Sequence, residues 1–196
     1  MNSFMKIALT IFLTACGACS PAELETIVEG ETATIDDGYS FETWDECSQE
    51  IGSNPCNFTL QDSNGDDWTL YDSYGKVILI DFSSMWCGVC VNMASDAQSI
   101  QDDYSPDGFV WVTVLIDDEQ GQQVDQSDLQ RWVGSHGMTS SPVLGGSRDM
   151  IDPTAQDGYP VSSWPTIVII NKEMVLSHGI HGWNEQTVRS WIEQEL

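Results

Sequence analysis

Basic side chains are scarce in this chain: 6 Lys and Arg stand against 31 Asp and Glu, for a net charge of -25. A surface this acidic is repelled by phosphate backbones and by anionic lipid headgroups, which excludes nucleic-acid binding. Its plain reading is a solvated surface without partner meaning; a salty habitat, where screening weakens self-repulsion, is the alternative. Long apolar runs are lacking as well. The stretch at residues 7–13 is too short to span a bilayer as a helix. Internal repeats and low-complexity segments are absent. A second closely spaced ligand pair that would turn Cys87 and Cys90 into half of a zinc site is also missing, because Cys47 and Cys56 are too far apart to supply it.

The N-terminus carries what an export signal needs, with Lys6 as the positive region and residues 7–13 as a mostly apolar core. Leu13-Thr14-Ala15-Cys16 resembles a bacterial lipobox, which makes Cys16 the expected lipidated N-terminus of the mature chain; an ordinary cleaved signal is the alternative. Residues 1–15 are therefore read as signal, 16–46 as an acidic flexible tether too poor in apolar residues to order itself, and 47–196 as one folded domain. The expected location is the periplasm or cell envelope, with the membrane contacted only through the lipid.

Export also governs the other cysteines, since thiols outside the cytosol tend to be oxidised. Cys47 and Cys56 enclose a short polar loop, and a structural bridge between them contributes about 2–3 kcal/mol. Cys19 is the natural unpaired residue.

Within the domain, residues 57–60 and 68–70 read as a hairpin around Ser63-Asn64-Gly65-Asp66. The near-continuous apolar run at 77–83 is a strand buried on both faces. Helical spacing begins at Cys87 and runs through Val91, Ala94 and Ala97 to Tyr104, and a second buried strand follows at 109–116. Strand, helix and strand of these lengths make a right-handed crossover between parallel neighbours. Further along are a helix at 127–136 capped by Ser127, a short extended piece at 142–144 and a short helix at 152–156. A hairpin of 166–170 with 174–178 and a helix at 184–195 close the chain.

Trp86-Cys87-Gly88-Val89-Cys90 carries the chemistry. After a buried strand, Cys87 falls at a helix N-terminus, where the macrodipole favours a thiolate. Cys90 lies within one turn of it, close enough to form a disulfide and to resolve a mixed one. A purely structural disulfide would not need that position.

Residues 76–90, ending in this motif, resemble the active-site segment of the thioredoxin superfamily. The upstream residues 58–65 and the stretch 109–159 resemble its branch of membrane-anchored reductases of cytochrome c maturation and peroxiredoxin-like proteins. The likeness covers roughly residues 57–196. It implies an α/β thioredoxin-like fold, a central mixed sheet flanked by helices with an N-terminal β-hairpin extension, and a protein-disulfide oxidoreductase. A reductase is favoured over an oxidase or isomerase. The activity needs no cofactor or metal, only disulfide-bearing exported partners and an upstream reductant.

The same resemblance implies a cis-proline at Pro165, in Trp164-Pro165-Thr166, with Trp164 presenting its backbone to substrate and Trp86 joining it in binding; an ordinary trans-proline opening a strand is the alternative. It also implies that Asp81 accepts the proton of Cys90; a carboxylate merely hydrogen-bonded to backbone or water is the other reading. Val89 departs from the thioredoxin pattern, which has proline there, and leaves redox direction open. A peroxiredoxin-type peroxidase would want a Pro and a Thr ahead of its cysteine, which residues 83–86 lack. A copper chaperone of this fold would want a wider cysteine spacing and a distal His.

Overall fold

The computed structural model describes residues 46–155 and 157–196. The expected signal, the Cys16 lipidation site, Cys19 and the tether up to residue 45 lie outside them. A two-stranded hairpin comes first, β1 (Thr59–Gln61) against β2 (Asp67–Thr69). Asp62 forms its turn, accepting through Oδ1 from the amides of Asn64 and Asp66 at 2.7 and 3.0 Å. After a 3-10 turn (Leu70–Ser73) come β3 (Val77–Ser84), α1 (Gly88–Tyr104), β4 (Phe109–Asp117), α2 (Gln126–His136) and β5 (Val143–Gly145). A 3-10 turn (Arg148–Ile151), β6 (Thr166–Ile170), β7 (Leu176–His181) and α3 (Glu185–Glu195) complete the chain.

The main sheet has the order β5-β4-β3-β6-β7; β3, β4 and β5 are parallel, and β6 runs antiparallel to both its neighbours, β3 and β7. Every residue of β3, β4 and β6 is buried, because both faces of these strands are covered. Alternation assigns the faces. Val77, Leu79, Trp111, Leu115, Ile167 and Ile169 join the cluster that contains the buried residues of α1, α2 and α3. Ile78, Ile80, Phe82, Val112 and Val114 join Leu70, Tyr159 and Met174 on the other side, where Phe58 and Trp68 of the hairpin region pack. By the same parity Asp81 and Ser83 point toward the layer that holds Cys87 and Cys90.

Several local expectations are corrected. The cap of α2 is Asp125, one residue before the helix begins, not Ser127. Its carboxylate accepts from the amides of Ser127 and Asp128, and Asp128 reciprocates to the Asp125 amide, a closed capping box. In α1 the inward positions are Cys90, Met93, Ala94, Ala97 and Ile100, whereas Val91 is exposed. Starting the helix at Gly88 sets that phase. The short helix expected at 152–156 is replaced by the 3-10 turn at Arg148–Ile151. Asp152 is engaged instead by the amide and hydroxyl of Thr154, a local side-chain turn that competes with helix. The last hairpin turn extends to Val175, so β7 begins at Leu176. Asn171 accepts from the amide of Met174 at its carbonyl and from that of Val175 at Oδ1, while buried Met174 adopts φ 58°.

Candidate active site

Cys87 and Cys90 are joined by a disulfide with a Cα–Cα separation of 5.2 Å. Cys87 is the N-cap of α1, with extended backbone angles, and its Sγ accepts the backbone N–H of Cys90 at 3.1 Å. In the reduced protein that unsatisfied helix-terminal donor stabilises negative charge on Cys87 sulfur. Cys87 is 6% exposed and Cys90 is fully buried, which divides the pair into a sulfur that a partner can reach and one that it cannot.

Asp81 lies in the middle of β3 with no accessible surface. Its Oδ1 accepts from the Ser83 hydroxyl at 2.6 Å and its Oδ2 from the Thr113 hydroxyl at 3.2 Å. Burial raises its pKa from the ordinary 3.8 to about 7, against the pull of those two hydrogen bonds in the other direction. A carboxyl group with that value exchanges a proton near neutral pH.

The rim around Cys87 is apolar and open. Trp86 and Val89 are about half exposed, whereas Met85 is buried. Trp86 meets Trp164 edge to face at 6.2 Å between ring centroids. The Trp164–Pro165 peptide bond is cis, and Thr166 follows as the first residue of β6. The Thr166 hydroxyl donates to the Ser163 carbonyl at 2.7 Å and contacts His181 Nδ1 at 2.9 Å, and His181 Nε2 lies 3.3 Å from the Ser162 hydroxyl. A hydroxyl has one proton, so Nδ1 must be the donor to Thr166. His178 has no place in this constellation: it pairs with Glu195 at 3.0 Å and stacks on Trp191.

Cys47 and Cys56 form a second disulfide, with Cα atoms 4.7 Å apart. Their loop docks on β7, where Gly52 donates to the Leu176 carbonyl at 2.7 Å and Leu176 donates back to Ser53 at 2.9 Å. A cavity of about 290 Å³ lined by Cys56, Phe58, Met150 and Tyr159 lies apart from the redox pair. Among the described residues no helix is long and apolar enough to cross a membrane.

The structure brings together Asp81, Trp86, Cys87 and Cys90 from one strand–helix junction, and Trp164 and Pro165 from the start of β6. Four residues join them that sequence reasoning did not single out. Ser83 was legible in principle, a polar residue two positions from Asp81 on the same face of a buried strand. Thr113, Asp117 and Arg148 were not. The Asp117 carboxylate accepts the Trp86 indole N–H at 3.2 Å and is bound by Arg148, with Nη2 2.6 Å from Oδ2 and Nε 3.1 Å from Oδ1.

A helix-capping dithiol on a mixed sheet, with a buried acid on the sheet face that the redox helix covers, defines a thioredoxin-like thiol-disulfide oxidoreductase. The chain belongs to the AhpC/TSA family, whose model matches residues 51–178. It is 24% identical over 161 residues to the thiol-disulfide oxidoreductase ResA of Halalkalibacterium halodurans, covering 80% of this chain and 85% of that one. The Bacillus subtilis protein of the same name is 27% identical over 122 residues, 62% of each chain. Among solved structures, the pneumococcal exposed lipoprotein thioredoxin of Streptococcus pneumoniae superposes with a TM-score of 0.57 at 27% identity, over 72% of this chain and 100% of that one. A thiol:disulfide interchange protein of the thioredoxin family from Chlorobium tepidum gives 0.61 at 16% identity, over 74% and 97%. These relatives favour disulfide exchange over peroxide reduction.

Proposed function

We propose that this protein reduces disulfides of exported partner proteins, working outside the cytosol on a lipid anchor at Cys16. The observation that carries the reading is the asymmetry of the redox pair, with reachable Cys87 at the helix cap and buried Cys90 in the layer that Asp81 faces. In the reduced state Cys87 thiolate attacks a partner disulfide. A Cys87–partner bond forms and the partner's other sulfur leaves as a thiolate. Cys90 then attacks the Cys87 sulfur, which closes the Cys87–Cys90 disulfide and releases the second partner sulfur. Two electrons pass from the dithiol to the partner, and the proton of Cys90 goes to Asp81. An upstream dithiol reductant restores the starting state.

Trp164 and Pro165 hold the partner's extended backbone beside Cys87, and Trp86 supplies an apolar wall. Support comes from the cis bond ahead of β6 and from the contact between the two indoles. The lipid anchor rests on the Leu13-Thr14-Ala15-Cys16 sequence and is consistent with a lipoprotein thioredoxin of related structure.

Insulin reduction tests the activity. Cys87→Ser is expected to abolish it and Cys90→Ser to accumulate mixed disulfides, whereas a Cys87→Ser protein with normal activity would overturn the reading. Direction is tested by the potential of the pair: a value near about -270 mV marks a reductase, one above about -180 mV an oxidant or isomerase. Labelling with a radioactive fatty acid that is lost in Cys16→Ala tests the anchor.

A further inference from the structure

Asp117 ends β4 directly beside the segment that leads into Cys87. Its backbone carbonyl accepts the Met85 amide at 2.9 Å, and its side chain accepts the Trp86 indole N–H at 3.2 Å. That side chain is 1% exposed, and a buried carboxylate with one neutral donor is poorly compensated. The compensation comes from Arg148, 31 residues on, whose guanidinium binds both carboxylate oxygens while remaining 65% exposed itself. Two parallel bonds from a planar fork fix the carboxylate plane as well as its charge.

The path of the chain makes this reach possible. The Gly146 amide donates to the Leu115 carbonyl at 2.8 Å, so the backbone after β5 lies flat on the end of β4. A Cβ at Gly146 would come within 2.6 Å of Val114 Cγ1 and 2.7 Å of Ile116 Cδ1. Any larger residue would have to push Val114 and Ile116 aside, and two residues later Arg148 stands over Asp117.

We propose that Arg148 is a positioning residue of the redox site: it locks the Asp117 carboxylate in the orientation that receives the Trp86 indole, and so fixes the wall against which a partner's backbone docks beside Cys87. Trp86 is about half exposed and stands perpendicular to Trp164, and its indole N–H is held by the carboxylate of the ion pair. The consequence for a partner rests on the proposed function above. The consequence for Trp86 does not.

The test uses Arg148→Gln, the milder Arg148→Lys, Asp117→Asn and the double variant Asp117→Asn/Arg148→Gln. The amide oxygen introduced by Asp117→Asn still accepts the indole N–H but needs no cation, so the two sites should be strongly non-additive. Two quantities are read on the full protein: the indole 15N–1H resonance of Trp86, assigned by its loss in Trp86→Phe, and KM for insulin. Arg148→Gln is expected to shift or broaden that resonance and to raise KM roughly threefold to tenfold, with Arg148→Lys between it and wild type. In the Asp117→Asn background the Arg148→Gln change is expected to add less than half of either effect. A loop-pinning role alone would lower the melting temperature without moving the Trp86 resonance. The proposal is overturned if Arg148→Gln leaves resonance and KM at wild-type values, or if its effects are undiminished in the Asp117→Asn background. Should Arg148→Gln not fold, Arg148→Lys is read by the same criteria. If wild-type protein failed to reduce insulin, the proposed function would fall, while the resonance would still decide the role of Arg148.

Discussion

Asp81 on β3 and Thr113 on β4 stand at the same register of the parallel pair, and the Thr113 hydroxyl donates to the Asp81 carboxylate at 3.2 Å in the buried layer facing the redox helix. With Ser83 on the same face of the same strand, the buried acid is held by two neutral hydroxyl donors. Desolvation outweighs these bonds, and the pKa rises to about 7.

The first prediction concerns stability. Below the ordinary value of 3.8 Asp81 is protonated in folded and unfolded chains alike and costs nothing. Between 3.8 and about 7 the folded protein keeps a proton that the unfolded chain gives up, so stability falls as pH rises through this window. Above it both states are ionised and the full cost remains, on the order of 4 kcal/mol from a shift of about three pH units. Asp81→Asn removes the titration. Urea unfolding across and beyond that window should therefore show the variant gaining on wild type within it and holding its gain above it. A gap independent of pH would show that Asp81 does not titrate there.

The second prediction concerns the same acid in turnover. Only ionised Asp81 can take the Cys90 proton, so the rate of resolving a Cys87 mixed disulfide should rise with pH through a midpoint of about 7. Thr113→Val deletes a donor that favours the charged form, and the midpoint should move upward. Stopped-flow release of the second partner thiol reads it. A midpoint that moves downward, or a resolving rate in Asp81→Asn equal to wild type, would remove Asp81 from the proton path.

How far the site was legible in the sequence follows from where its parts sit. Asp81, Trp86, Cys87 and Cys90 lie close together in the chain, and strand parity followed by a helix start places them without knowledge of the rest of the fold. The crossover from β3 to β4 was legible for the same reason, since two long buried runs joined by one helix leave few alternatives. Thr113 needed the β3–β4 register, which hydrophobic pattern does not specify when both faces of each strand are buried. The Asp117–Arg148 pair needed the route of the chain after β5, and that route depends on Gly146 lying against Val114 and Ile116. The errors at Ser127, Val91 and residues 152–156 are of another kind. In each, local competition among neighbouring Asp, Ser and Thr side chains, or a helix phase set by its first residue, decided between options that the residue types alone allow.

The third prediction tests the small disulfide. The Cys47–Cys56 bridge closes a loop with a sequence separation of 9, and that loop exchanges two backbone hydrogen bonds with Leu176 at the start of β7. Replacing both cysteines by alanine should cost about 2–3 kcal/mol in chemical unfolding, chiefly by freeing the unfolded chain. Insulin reduction by the folded fraction should persist, since neither sulfur belongs to the Cys87–Cys90 pair. Loss of activity in a variant that remains folded would mean that the second disulfide takes part in electron transfer.

The last prediction concerns the bracket around Pro165. Because the Thr166 hydroxyl spends its proton on the Ser163 carbonyl, the ring of His181 reaches it through a protonated Nδ1 and is left with Nε2 to accept from the Ser162 hydroxyl. Of the two tautomers of an uncharged ring the geometry selects Nδ1–H, and the ring ties β7 to both sides of the cis bond. His181→Leu removes both contacts. His181→Asn keeps an amide donor near the Nδ1 position. The ring lies at an exposed position, where a hydrogen bond is worth about 0.5–1.5 kcal/mol, so the expected effect of His181→Leu is a rise in KM for insulin of roughly twofold to tenfold, partly restored by His181→Asn. Long-range 15N correlation spectra of the His181 ring read the tautomer directly. A neutral Nε2–H ring would contradict the bracket, as would equal KM values in the Leu and wild-type proteins.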